Sequence, residues 1–329
     1  VTAPIYLPPG SLVQVTSNCI SRTYRLVPTD DVVAVCEACI RASAMHFAGE
    51  IQLHEFEFLS NHLHLLLTDL GGEDGAGKTP DFMGYLHNLL TTNLNSLRGI
   101  SGKGWEQYSF QIIDRDDPDR ILQAVSYIQN QAVAADIVKR NREWRHCSSR
   151  GLEYGEQPEI DKPVLGIWSG KARHAGRADS IRSKRAEHAC RSNVPDRLSF
   201  TLFPLPGFEA LGPKKLRALT RARLAKLENR AIARRRRDGT RVQGWDVARK
   251  IHWSYMPAMG RQLFGPKPTF AASTPERRAA AQERVDNFRR EYAVALERFL
   301  SGDHEVVFPL GTYRMPRRFR ARVATSDSS

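Results

Sequence analysis

Apolar and polar positions alternate in Leu12-Val13-Gln14-Val15-Thr16, which predicts a strand over residues 11–18. Thr29-Asp30-Asp31 then supplies a helix start, and Val32, Val35, Cys36, Cys39, Ile40 and Ser43 recur at helical spacing until Gly49. Residues 51–58 and 62–68 read as two strands joined by the short Leu59-Ser60-Asn61 turn. Thr79-Pro80-Asp81 opens a second helix with a capping hydroxyl, a first-turn proline and a carboxylate at the positive end of the dipole. Met83, Leu86, Leu89, Leu90, Leu94 and Leu97 carry its apolar stripe to Gly99. Residues 108–113 read as a fourth strand, and Pro118 opens a third helix through Ile121, Leu122, Val125, Ile128 and Ala132 to about Val138. The order β-α-β-β-α-β followed by a helix predicts an α+β, ferredoxin-like antiparallel sheet with helices on one face and the other face open.

The second half is patterned differently. Residues 151–212 are rich in Gly, Pro, Ser and Arg without steady periodicity and read as an irregular linker region. From Gly212-Pro213 a helix carries Leu216, Leu219, Leu224, Leu227 and Ala231 among many cations, and Thr274-Pro275-Glu276 caps a last long helix with a stripe from Ala281 to Phe299. The expected division is a domain over 1–150, the linker region over 151–212, and a basic, mainly helical annex over 213–329.

Charge sharpens this division. The formal net charge is +13, yet residues 1–150 hold 13 Lys and Arg against 17 Asp and Glu, while the remainder holds 36 against 19. A basic annex on an acidic domain points to a polyanion, nucleic acid before membrane. Lys214, Lys215, Arg217, Arg221, Arg223, Arg230, Arg234, Arg235, Arg236 and Arg237 are the candidate phosphate contacts. Trp245 to Tyr255 adds aromatics suited either to stacking on unpaired bases or to packing. No run reaches the roughly 18 apolar residues of a membrane helix, so a cytoplasmic chain is expected. Five cysteines do not make a disulfide framework, and Cys36 and Cys39 read as buried thiols. Gly77-Lys78-Thr79 lacks the upstream glycine spacing of a phosphate loop.

The chemistry concentrates in Asn61-His62-Leu63-His64. Strand alternation puts His62 and His64 on one face, where both imidazoles can reach one divalent cation or stand simply as two half-exposed strand histidines. Asn61-His62-Leu63-His64-Leu65-Leu66 resembles the HUH signature of the single-tyrosine transposases, particularly the REP-associated tyrosine transposases. Gly102-Lys103-Gly104-Trp105, the block from Tyr127-Ile128-Gln129-Asn130-Gln131 to Val138, and Trp144 with Cys147-Ser148 are similar to further family blocks in the same order. The resemblance covers about residues 11–150. It implies an HUH domain in which a divalent metal, Mg or Mn, on the two histidines polarises a phosphate of single-stranded or hairpin DNA while a helix tyrosine attacks it, with no organic cofactor expected.

Aligning the helix over 82–96 with the family pattern places Leu90 where the tyrosine belongs. Tyr85, the only tyrosine on that helix, is turned well away from Leu90 and is the weak alternative, leaving the nucleophile unassigned. His87 lies about 60° from Leu90 and is the candidate third ligand, with Asn93 its counterpart on the other side. The functional expectation is therefore a transposase-family DNA-binding protein, with a homodimer as one candidate assembly and covalent chemistry in doubt. The alternative is a catalytically silent DNA-binding regulator or domesticated transposase derivative. RNA binding and hydrolysis by a metal-activated water are weaker readings.

Overall fold

The structure, a computed structural model, describes residues 4–72, 75–169, 194–258 and 269–325. Its first part follows the expected order: β1 (Ser11–Asn18), α1 (Asp30–His46), β2 (Ile51–Phe58), β3 (His62–Asp69), α2 (Thr79–Arg98), β4 (Ser109–Ile113), α3 (Pro118–Gln129) and α4 (Gln131–Ala134). Thr29 caps α1 by accepting from the Val32 N–H. The start of α2 works differently from the reading of Thr79 as its cap. Asp69, at the end of β3, accepts from the backbone N–H groups of Lys78 and Thr79 and from the Thr79 hydroxyl, so a tertiary carboxylate satisfies the helix terminus. The third helix also stops sooner than expected. It closes at Asn130, and α4 is a separate short turn.

Strand order is β2-β3-β1-β4-β7, where β7 is Phe270–Ala271. The first four strands are antiparallel, but β7 joins β4 in parallel, so the sheet is mixed and borrows its last strand from the basic half of the chain. The register Val13↔Leu67 and Val15↔Leu65 builds a dry face of Val13, Val15, Leu63, Leu65 and Leu67. The buried stripe Phe82, Met83, Leu86, Leu89 and Leu90 of α2 and the buried side of α1 belong to the same core. The opposite face carries Gln14, Thr16, His62, His64, Glu55 and Glu57, and it is not open: α3 lies across it.

The segment expected to be irregular contains a two-stranded antiparallel sheet of β5 (Gly155–Asp161) and β6 (Arg197–Leu202). It docks on α1, where Arg41 sits 5.0 Å over the Phe200 ring and donates to the Pro158 carbonyl at 2.7 Å. Residues 170–193, including Cys190, lie outside the described residues. Cys19, Cys36, Cys39 and Cys147 are all buried. The long basic helix is α5 (Gly212–Asp238), followed by α6 (Trp245–Ala248), α7 (Pro275–Leu300) and α8 (Arg314–Phe319). Leu216, Phe208 and Ala271 join the same apolar core as the first four strands, so the packing runs across the boundaries at 150 and 212. Thr274 caps α7 as its sequence implies, and Ala295 of that helix packs with Val306, Phe308, Met315 and Ala321 in a separate small core. No helix among the described residues is long and apolar enough to cross a membrane.

Both borders of the sheet are occupied by the chain's own segments. On the β2 side, Phe203 N–H donates to the Leu53 carbonyl, Phe58 N–H to the Cys147 carbonyl, and Glu57 bridges Ser148. On the β4 side lies β7.

Candidate nucleic-acid processing site

His62 and His64 stand on one face of β3 with ring centroids 4.9 Å apart and planes nearly perpendicular. Asn61 Oδ1 can only accept, so the 2.7 Å contact fixes the proton of His62 on Nδ1 and leaves Nε2 with its lone pair. His64 Nδ1 meets the Thr16 hydroxyl at 3.0 Å, and its buried Nε2 has no partner among the described residues. Burial, reinforced by the nearby Arg22 charge, pulls the His62 pKa down to about 4. Burial and then His62 itself hold His64 well below the usual histidine value. Two neutral rings, each tied through Nδ1 and presenting Nε2, have the donor chemistry of metal-ligating imidazoles. These two rings are the residues that could hold a divalent cation.

A third protein ligand is not evident. Among the described residues no cluster of three His, Cys, Asp or Glu side chains has metal-binding geometry. His87 is on the far side of the sheet: its Nε2 bonds the Ser17 hydroxyl at 2.7 Å and its ring stacks on Trp105. Ser17 pairs with Leu63, so its side chain lies opposite the histidine face. Asn93 is buried and donates to the Leu89 carbonyl on its own helix. Leu90 is fully buried in the core, and Tyr85 stacks on His46 with centroids 4.3 Å apart. The structure therefore does not bring Leu90, Tyr85 or His87 to the histidine pair, because α2 covers the other face of the sheet.

The tyrosine that does meet the pair is Tyr127 of α3. Its ring centroid is 5.3 Å from that of His64, edge to face, and the residue is 49% exposed. Its position is fixed from two residues further on. Gln129 donates its side-chain amide to Glu55, and its carbonyl accepts from Arg150, which is paired with Glu57 at 3.1 Å. Glu57 faces His64 across the β2–β3 register. Burial raises its pKa to about 7 against the opposing pull of Arg150 and Ser148. Glu55 accepts from Tyr154 at 2.6 Å and from Arg217 at 2.9 Å. The strand beside the histidines thus holds the helix bearing Tyr127 through two buried carboxylates.

The cations divide into structural and exposed sets. Arg217 and Arg235, expected among the phosphate contacts, are buried: Arg217 pairs with Glu55 under the Tyr154 ring, and Arg235 pairs with Asp136. Arg234 also pairs with Asp136, Arg221 with Glu153, Arg223 with Asp119 and Arg237 with Asp238. Lys214, Lys215, Arg230 and Arg236 are exposed. Sequence reasoning missed Arg142 and Arg145, which are exposed, form no ion pair among the described residues, and line a 620 Å³ cavity with Arg140, Arg150 and Arg221. It also missed Arg22, which binds Asn18 at 2.6 Å in a left-handed backbone conformation beside His62. Trp245 packs against Trp144 with centroids 5.5 Å apart, and Tyr255 is half exposed against Tyr24.

No family model matches the chain, and no curated protein matches it in sequence. Among solved structures, the REP-associated tyrosine transposase bound to a REP hairpin is similar over 44% of this chain and 78% of that one, at 18% identity and a TM-score of 0.35.

Proposed function

We propose that this chain is an HUH-type, ferredoxin-like DNA-processing protein that binds single-stranded or hairpin DNA and breaks one strand through Tyr127. The observation that carries this reading is the half-exposed Tyr127 ring against His64, beside two imidazoles tied through Nδ1 whose Nε2 atoms form no hydrogen bond among the described residues. His62 and His64 would hold the divalent cation, whose chemistry is to offset charge on the phosphoryl oxygens. In the step we assign to the chain, Tyr127 Oη bonds to phosphorus, the P–O3′ bond breaks, and the 3′ oxygen takes up a proton. Glu55, Glu57 and Arg150 keep α3 seated so that the hydroxyl is presented to the phosphate. Arg142 and Arg145, with the exposed cations of α5, supply the phosphate grip.

The test is incubation of the whole chain with a 3′-labelled DNA hairpin carrying single-stranded flanks, in Mg²⁺ or Mn²⁺, followed by denaturing electrophoresis. A covalent adduct is expected from the wild-type protein and none from Tyr127→Phe. DNA binding without an adduct would favour the silent DNA-binding regulator, and an adduct that survives in Tyr127→Phe would remove Tyr127 from its role.

A further inference from the structure

Beside the histidine pair, a cleft of about 360 Å³ opens between the β1–β4 surface and α3 and ends at Tyr127. Gln14, Thr16 and Gln111 line its floor, and Arg120 and Gln123 line its wall. Gln14 is 8% exposed, and its side chain forms no hydrogen bond among the described residues. Arg120 donates to Gln123 at 2.8 Å, while its buried Nε has no partner among the described residues. Among the described residues that line the cleft there is no carboxylate, and Arg120 is the one charged side chain. Thr16 links the floor to the catalytic face through its hydroxyl contact with His64.

We propose that this cleft receives one unpaired nucleobase of the DNA strand whose phosphate lies at His62, His64 and Tyr127. The inference rests on the function proposed above and extends it to base recognition. A carboxamide with no hydrogen bond among the described residues offers a donor and an acceptor side by side, the pattern that complements a base edge, and a guanidinium adds donors in a plane. A single described cation is a weak grip for a second phosphate, whereas a neutral, planar heterocycle suits a slot closed by an aromatic ring. Base and phosphate of one nucleotide are neighbours, as are the cleft and the histidine pair.

The experiment measures anisotropy of the full chain with fluorescent DNA hairpins whose single-stranded tails carry natural bases or abasic sites. Wild-type protein is expected to bind the base-bearing tail roughly ten-fold more tightly than the abasic one. Gln14→Leu should erase that difference while leaving abasic-tail affinity unchanged, and Gln123→Ala, on the exposed side of α3, should reduce it without a change in Tm. Equal affinity of the wild-type protein for both tails would overturn the pocket while leaving DNA binding intact. Binding to no strand at all would overturn the proposed function and the pocket with it. Competition by a free deoxynucleoside monophosphate at matching concentrations would make the slot a mononucleotide site and overturn the strand reading.

Discussion

The carboxylate of Glu55 and the guanidinium of Arg217 meet at 2.9 Å, and neither side chain is measurably open to water. One belongs to the strand next to the histidines and the other to the basic helix, so a charge pair ties the two halves of the chain together. Removing one partner strands the other in a dry interior. Arg217→Ala is therefore expected to lower unfolding free energy by about 3–5 kcal/mol, read from urea denaturation. A change below 1 kcal/mol would show that the pair is solvated in solution.

Placing α2 on the far side of the sheet separates two expectations for the candidate nucleophile. Tyr85→Phe should leave adduct formation unchanged, because its ring stacks on His46 away from the histidine pair. Leu90→Ala should cost about 2–5 kcal/mol in stability as a core truncation. Loss of the adduct in Tyr85→Phe with an unchanged Tm would return α2 to the chemistry.

Salt dependence should distinguish the exposed cations from the buried ones. The double substitution Arg142→Ala and Arg145→Ala is expected to reduce the slope of log affinity against log salt by about 2, with Tm unchanged. Arg235→Ala, by contrast, should lower Tm, since that guanidinium is buried against Asp136. Slopes identical to wild type in the first variant would place the DNA elsewhere.

Burial holds His54 and His62 neutral to about pH 4, whereas an unfolded chain protonates histidine near 6.5. Between those values the unfolded state binds more protons, so these groups stabilise the fold above about pH 6.5 and lose that contribution as pH falls towards 4. Glu57, raised to about 7, acts in the other direction: its protonated form favours the fold, and that contribution is lost as pH rises from the ordinary glutamate value through 7. Carbon-bound imidazole proton shifts of His54 and His62 should stay at their neutral positions down to about pH 5. Titration midpoints near 6.5 would mean that both rings are open to solvent.

The order and limits of the first four strands and first two helices were legible because alternation and helical periodicity dominate those segments. Which helix faces the histidines was also written in the chain, though in parity rather than motif. Leu63, Leu65 and Leu67 point opposite to His62 and His64, and the apolar stripe of α2 needs a dry surface, so α2 belongs with the leucines. The next helix, with Tyr127 between the buried Ser126 and Ile128, was left for the polar side. What no local pattern carried were the long-range partners. Arg217 looks like any cation of its helix until Glu55, 162 residues away, is seen to face it. The pairing of β7 with β4 rests on two residues and has no sequence signature.

The chain's own segments along both borders of the sheet bear on how copies of this protein can meet. An uncovered rim invites a neighbour to extend the ladder, the commonest route by which β proteins self-associate without design. Here β7 shields one rim, while Phe203, Cys147 and Ser148 shield the other. A dimer built by adding a strand to this sheet at those positions would first have to peel away the molecule's own trim.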